Sequence, residues 1–226
     1  MQTPQILFED GEALVINKPA GLPIDRPRKG GECLEDHLEA LKLGFQRAPV
    51  AVHRLDTDTS GCLLLARNPK ALKRFNKAFE DRQVSKTYLA VLAGHPEGDS
   101  GTIRLKLSKI SSEAKGWRMI AAKKGKEAVS HWQLLETLGP NALIRFTPET
   151  GRTHQLRIHA HKGLGAPLLG DPIYGSESQR GKGARRTMLH ASNLVITREG
   201  KPAIEAHAPL PADFVALGAN EPEAHG

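Results

Sequence analysis

Apolar positions in this chain fall in short runs between polar turns, and the spacing within each run predicts its element. Residues 6–17 alternate loosely and stop at Lys18-Pro19-Ala20-Gly21, a strand entering a turn. Leu34, Leu38 and Leu41 recur at helical spacing and predict a helix over 32–43. Two apolar runs, 48–52 and 62–66, bracket a polar segment, which reads as strand, turn, strand. Residues 69–82 place Leu72, Phe75, Ala78 and Phe79 on one helical face behind the start signal Asn68-Pro69. A β-branched and apolar strand follows at 87–93. A hairpin pair is predicted at 102–107 and 118–122, and two strands at 128–138 and 142–147 around Gly139-Pro140-Asn141. Residues 155–162 have helical character. Residues 189–197 and 203–207 read as strands joined at Glu199-Gly200-Lys201.

Many strands, few helices and no strict alternation predict an α+β fold with a mixed, mostly antiparallel β-sheet core flanked by helices and loops. No repeat, low-complexity tract or linker divides the chain. The expectation is one domain over 1–215 and a frayed tail over 216–226, which is rich in Gly, Ala, Pro and Glu.

At 226 residues the chain is long enough to bury a core without disulfides or a structural metal. Its two cysteines, Cys33 and Cys62, lie far apart and read as small buried hydrophobes or plain thiols. No run approaches the roughly 18 apolar residues of a membrane span. The N-terminus lacks a signal-peptide profile, so a cytoplasmic location is expected, and a monomer is the default. The net charge of +7 changes the picture more by placement than by size. Between Gly101 and Lys126 lie Arg104, Lys106, Lys109, Lys115, Arg118, Lys123, Lys124 and Lys126, against the single acid Glu113. Smaller clusters are Arg26-Pro27-Arg28-Lys29 and Arg180, Lys182, Arg185 and Arg186. Such clusters suit phosphate contacts as well as solvated faces.

Two stretches carry candidate chemistry. The first is His53-Arg54-Leu55-Asp56-Thr57-Asp58-Thr59-Ser60-Gly61, where a turn between strands holds the carboxylate of Asp56 rigidly. The second is Glu149-Thr150-Gly151-Arg152-Thr153-His154-Gln155-Leu156-Arg157-Ile158-His159-Ala160-His161. Together they offer an anionic nucleophile and a cationic partner. His154, His159 and His161 invite a zinc reading, but no fourth ligand lies at a familiar spacing, and Arg152 and Arg157 would repel a cation. No metal or other cofactor is expected, since there is no nucleotide-binding glycine loop either. Asp58, two residues from Asp56, leaves a paired-carboxylate glycosidase conceivable, but that offset fixes no separation.

The first stretch resembles the His-Arg-Leu-Asp-x-x-Thr-Ser-Gly signature of the RluA family of RNA pseudouridine synthases, and residues 151–159 are similar to that family's Gly-Arg-Thr-His-Gln-Leu-Arg-x-His segment. Residues 12–23, Lys86-Thr87-Tyr88 and Gly170-Asp171-Pro172-Ile173-Tyr174-Gly175 resemble three further family motifs in the same chain order. The resemblance covers roughly residues 6–212. It implies the pseudouridine synthase fold and isomerisation of uridine in rRNA or tRNA without a cofactor. The catalytic pattern begins near residue 6, which leaves no room for the small N-terminal RNA-binding module many members carry.

The resemblance also implies roles. Asp56 would be the carboxylate that attacks C1′ or takes the C2′ proton, with Arg157 as its charge partner. Tyr88 would stack on the target uracil and help remove the C5 proton; otherwise it is a core tyrosine. Arg54 would fill the space left by the flipped base or contact a phosphate. His53, Lys86, Arg152 and His154 would bind RNA or order the loops. Tyr174 would serve a structural turn. Thr57 and Cys62 depart from the family pattern, and Thr57 bears on RNA contacts. Two other readings compete: a non-catalytic RNA-binding domain of the same fold, and a nucleoside hydrolase built on Asp56 and Asp58.

Overall fold

In the computed structural model, which describes residues 4–112, 116–175 and 184–222, the apolar runs become strands and the polar punctuation becomes turns. The chain divides into two compact units, Met1–Lys86 with His190–Pro209 and Thr87–Leu189 with Leu210–Gly226. Both are rich in strands and poor in helix, the α+β class that the patterning predicts.

The first unit is built around β2 (Ala13–Lys18) and β4 (Ser60–Ala66), which pair antiparallel from Ala13↔Ala66 to Lys18↔Gly61. β1 (Ile6–Glu9) pairs with the other edge of β2. The single strand expected over 6–17 is therefore a hairpin. Asp10 breaks it, because its Oδ1 accepts from the N–H groups of Glu12 and Ala13 at 2.8 Å each and so withdraws both from a ladder. The far edge of β4 is shared. β3 (Val50–Ala51) pairs antiparallel at Leu65 and Ala66, and β10 (Leu189–Arg198) pairs parallel at Ser60 and Gly61. β11 (Lys201–His207) completes the unit against β10. Helix α1 (Pro69–Glu80) starts where the sequence predicts: the Asn68 side chain caps the Ala71 N–H at 2.9 Å and Pro69 opens the first turn. It buries Ala71, Phe75 and Ala78 against Val15, Leu64, Leu194 and Ile204.

The helix expected over 32–43 is instead two 3₁₀ turns, Leu34–His37 and Ala40–Lys42. The segment ends in left-handed backbone at Leu43 (φ 49°) and Gly44 (φ 87°), and so short a stretch has little intrinsic helical stability. Leu34 and Leu41 are buried as the spacing predicts.

The second unit pairs β5 (Val84–Leu92), β9 (Asn141–Pro148), β8 (Lys126–Leu138), β6 (Ser100–Ser112) and β7 (Gly116–Ala121) in that order, all antiparallel. One sheet face carries Ala90, Trp132, Ile144 and Phe146, which pack with Leu156 and Ala160 of the segment after β9. That segment is the short helix α2 (Gln155–Ile158), continued by a π-helical turn, His159–Gly163. Gly163 permits the approach, since a Cβ there would lie 2.6 Å from Ile103. The last helix is α3 (Ala212–Val215).

The frayed tail expected from residue 216 is anchored instead. Ala219 is buried, Asn220 donates to the Glu136 carboxylate from both backbone and side chain, and Glu221 accepts from the Leu210 N–H. Residues 223–226 lie outside the described residues, as do Arg180 and Lys182 of the third basic cluster. No described helix is long and apolar enough to cross a membrane.

Candidate active site

Asp56 sits where one edge of β4 changes partner. β3 leaves β4 after Ala51, and β10 takes over at Gly61 and Ser60. Between them, β4 bonds the departing chain at Leu64 alone: its carbonyl accepts from Val52 N–H at 3.0 Å, and its N–H donates to His53 Nε2 at 3.1 Å. A side chain thus completes the ladder where the backbone turns away. The His53 ring also stacks on Phe79 at 4.8 Å. Burial, and secondarily the charge of Lys86, depress the His53 pKa to about 3, so the ring is neutral and free to accept. The next residues form a tight turn in which Thr59 N–H donates to Asp56 C=O at 3.0 Å.

A fully buried lysine holds this turn from below. Lys18 ends β2, and its Nζ donates to the carbonyls of Pro19 (2.8 Å), Leu22 (2.8 Å) and Thr57 (3.1 Å). Gly21 N–H donates to the same Thr57 carbonyl at 2.9 Å. A buried ammonium is tolerable only when its donors are satisfied, and here the acceptors come from the two turns it ties together. Gly61 is the matching requirement across the ladder. Its φ is 107°, and a Cβ would fall 2.2 Å from the Ala191 carbonyl oxygen. Ser60 is locked by His190, which bridges Ser60 Oγ (2.9 Å) and Ala208 C=O (3.2 Å). Asp56 itself is half-buried. Arg54 projects outward and pairs with Asp25 at 2.7 Å.

In the second unit the Arg157 stretch is part of a dense hydrogen-bonded network. Gln155 is buried, accepts from Thr150 Oγ1 (2.7 Å) and Arg152 N–H (3.0 Å), and donates to Val129 C=O (3.0 Å) and Ser130 Oγ (2.9 Å). His154 opens α2 with left-handed backbone, φ 52°. The Tyr174 hydroxyl accepts from Met119 N–H at 3.1 Å, leaving its proton for His154 Nδ1 at 2.9 Å. Arg157 makes a two-pronged ion pair with Asp171: Nε to Oδ2 at 2.7 Å and Nη2 to Oδ1 at 2.8 Å. Its guanidinium also lies 5.2 Å from the Tyr174 ring centre. Burial would raise the Asp171 pKa, but the hydrogen bonds and charge of Arg157, with the N–H groups of Tyr174 and Ile173, outweigh it and hold the carboxyl below its ordinary value.

The expected site residues thus divide between the units. His53, Arg54, Asp56 and Lys86 belong to the first; Tyr88, Arg152, His154 and Arg157 belong to the second. Lys86 lies 5.5 Å from the Phe79 ring centre, and burial lowers its pKa. Tyr88 is half-buried on β5 opposite Phe146. Arg152 donates from Nε to Glu127 C=O at 3.0 Å. Among the described residues no three His, Cys, Asp or Glu side chains converge on a metal position.

Comparison with known proteins decides the family. The family described as RNA pseudouridylate synthase matches residues 12–162, a span holding the Lys18-anchored turn, Tyr88 and Arg157. The chain belongs to the RNA pseudouridylate synthase family. An uncharacterized RNA pseudouridine synthase of Zymomonas mobilis is 53% identical over 95% of this chain and 97% of its own length. The ribosomal large subunit pseudouridine synthase C of Rickettsia bellii is 38% identical over 94% of this chain and 70% of its own. Among solved structures, human RNA pseudouridylate synthase domain containing 1 aligns with a TM-score of 0.78 at 31% identity, covering 94% of this chain and 87% of that one.

For this pseudouridine synthase, sequence reasoning missed the residues that hold the candidate groups in place. It leaves Asp171 without a role, although the residue lies in the Gly170–Gly175 motif. It reads Lys18 as part of a turn, although a lysine ending an apolar run can be buried. Gln155 was passed over between two more conspicuous residues.

Proposed function

We propose that this protein converts uridine to pseudouridine in ribosomal RNA, with Asp56 as the carboxylate acting at the ribose. The reaction breaks the N1–C1′ bond, turns the uracil, forms C5–C1′, and moves the C5 proton away while N1 gains one. It is an isomerisation and consumes no co-reactant. The observation that carries the reading is the Asp56 turn, tied to Lys18 and Gly21 through the Thr57 carbonyl. A carboxylate that must meet C1′ or the C2′ proton benefits from such fixed placement. Arg157, held by Asp171, supplies positive charge, and Tyr88 supplies an aromatic face for the detached base. Large-subunit rRNA is favoured over tRNA because the Rickettsia relative carries that substrate in its name.

The test is conversion of unmodified transcripts of large-subunit rRNA and of tRNA by the purified protein, with pseudouridine mapped by carbodiimide-dependent reverse-transcription stops. New stops in rRNA are expected, none of them with Asp56→Asn, which should still bind RNA. Turnover by Asp56→Asn would remove Asp56 from the chemistry. Stops confined to tRNA would overturn the substrate class, and binding without conversion would leave an RNA-binding domain.

A further inference from the structure

Trp117 is the most exposed aromatic side chain of the second unit, at 46% of its surface, and it lies on β7, the outermost strand in that unit's pairing order. Strand register explains how it is held there. Ser111↔Trp117, Lys109↔Met119 and Leu107↔Ala121 are opposite pairs, so these side chains share one face of the hairpin. On that face Leu107 and Met119 are buried, with Met119 packed beside Ile158 and Tyr174. Toward Trp117 it runs out of cover. There the indole rests on His154, ring centres 5.1 Å apart and planes tilted by 31°. The Lys109 ammonium lies 4.7 Å from the indole centre.

Resting on the proposed RNA substrate, we propose that Trp117 is a stacking platform for an unpaired nucleobase flanking the target uridine, with Lys109 taking the adjoining phosphate. Four observations support this. The indole is a rigid, partly desolvated face, and such faces bind bases with little regard to sequence. Its support is built: His154 cannot easily turn away, because Tyr174 engages its Nδ1. The platform leads inward, from Trp117 to His154, to Tyr174, and to the Arg157 guanidinium. Finally, the hairpin that carries it belongs to the segment with eight basic residues and one acid, the charge a polyanion requires. The arrangement also reassigns His154. It is buried, and its ring serves the RNA through the tryptophan it supports.

The test compares wild type, Trp117→Ala and Trp117→Phe on unmodified transcripts of large-subunit rRNA and of tRNA, with thermal melts to confirm folding. Trp117→Ala should raise the KM for RNA about tenfold, with single-turnover conversion at saturating RNA changed by less than about twofold. Trp117→Phe should recover most of the affinity, because a phenyl ring still stacks. Indole fluorescence of the wild type should be quenched by RNA, and the quenching should vanish in Trp117→Phe, whose remaining tryptophan, Trp132, is buried. An unchanged KM in a folded Trp117→Ala, with conversion intact, would overturn the platform alone. Trp117-dependent quenching without any conversion would uphold the platform and overturn the isomerase reading.

Discussion

Arg157 and Asp171 form a parallel, two-bond ion pair whose carboxylate is wholly buried and whose guanidinium is nearly so, at 0% and 7% exposure. Within its own unit the Asp171 carboxylate balances the Arg157 charge, and it is fixed in turn by the N–H groups of Ile173 and Tyr174. The guanidinium is therefore oriented before substrate arrives, which is how a positioned charge acts most effectively.

Arg157→Leu should therefore destabilise the protein by leaving Asp171 buried without its partner, at a cost of about 3–5 kcal/mol. The double variant Arg157→Leu with Asp171→Leu should regain much of that stability and none of the activity. Arg157→Lys should rescue poorly, because a point charge cannot reproduce the two parallel bonds. Urea unfolding of the set checks this. A melt of Arg157→Leu equal to wild type would show that the pair is not energetically coupled to folding.

Lys18→Met tests the anchor of the Asp56 turn. Methionine matches the apolar stem but donates nothing, so the carbonyls of Pro19, Leu22 and Thr57 each lose a partner. A loss of about 2–3 kcal/mol is expected. Pseudouridine formation should fall further than stability explains, on the order of 100-fold below the melting transition, because a small displacement of a reacting group is costly. Full activity in a folded Lys18→Met would mean that the turn holds Asp56 unaided.

Two glycines flanking this anchor should respond very differently to alanine. Gly21 has φ 82° but open space around its missing Cβ, so Gly21→Ala should cost only about 1 kcal/mol of backbone strain. Gly61 has both positive φ and the Ala191 carbonyl 2.2 Å from the would-be Cβ. Gly61→Ala must push β4 and β10 apart and should cost more than about 3 kcal/mol. Similar denaturation midpoints for the two variants would contradict this account of the β4–β10 contact.

These cases show which parts of the molecule the sequence could disclose. Periodicity and capping found α1, because Asn68, Pro69 and the apolar face at Ala71, Phe75 and Ala78 all signal locally. The β8–β9 hairpin was legible for the same reason. The Asp10 break was not, since one side chain taking two backbone N–H groups leaves no periodic trace. The anchored C-terminus was hidden because Asn220 finds Glu136 across 84 residues. In the candidate site the polar turn and the Arg-rich stretch were visible as composition. Their supports were not: Lys18 reads as a surface lysine, and the Arg157–Asp171 pair spans 14 residues and depends on how a loop closes.

Buried neutral histidines should make the protein acid-sensitive before its carboxylates titrate. His159 is fully buried, and neither ring nitrogen has a hydrogen-bond partner among the described residues. Burial lowers its pKa from 6.5 to about 4. His53 is lowered to about 3 by burial and by Lys86. A depressed folded-state pKa means that the unfolded chain binds the proton first. The contribution to stability is complete above about pH 6.5 and is lost progressively as pH falls toward the folded values. For His159 the loss between about pH 7.5 and about pH 5 should be roughly 2 kcal/mol. His159→Phe, which cannot titrate, should reduce that slope by about half while leaving the comparable His53 contribution. The depressed carboxyl of Asp171 acts in a lower window, losing its contribution only as pH falls below the ordinary carboxylate range. Denaturant melts of wild type and His159→Phe at the two pH values separate these effects. Parallel pH dependence in the two proteins would show that His159 is not the group taking up the proton.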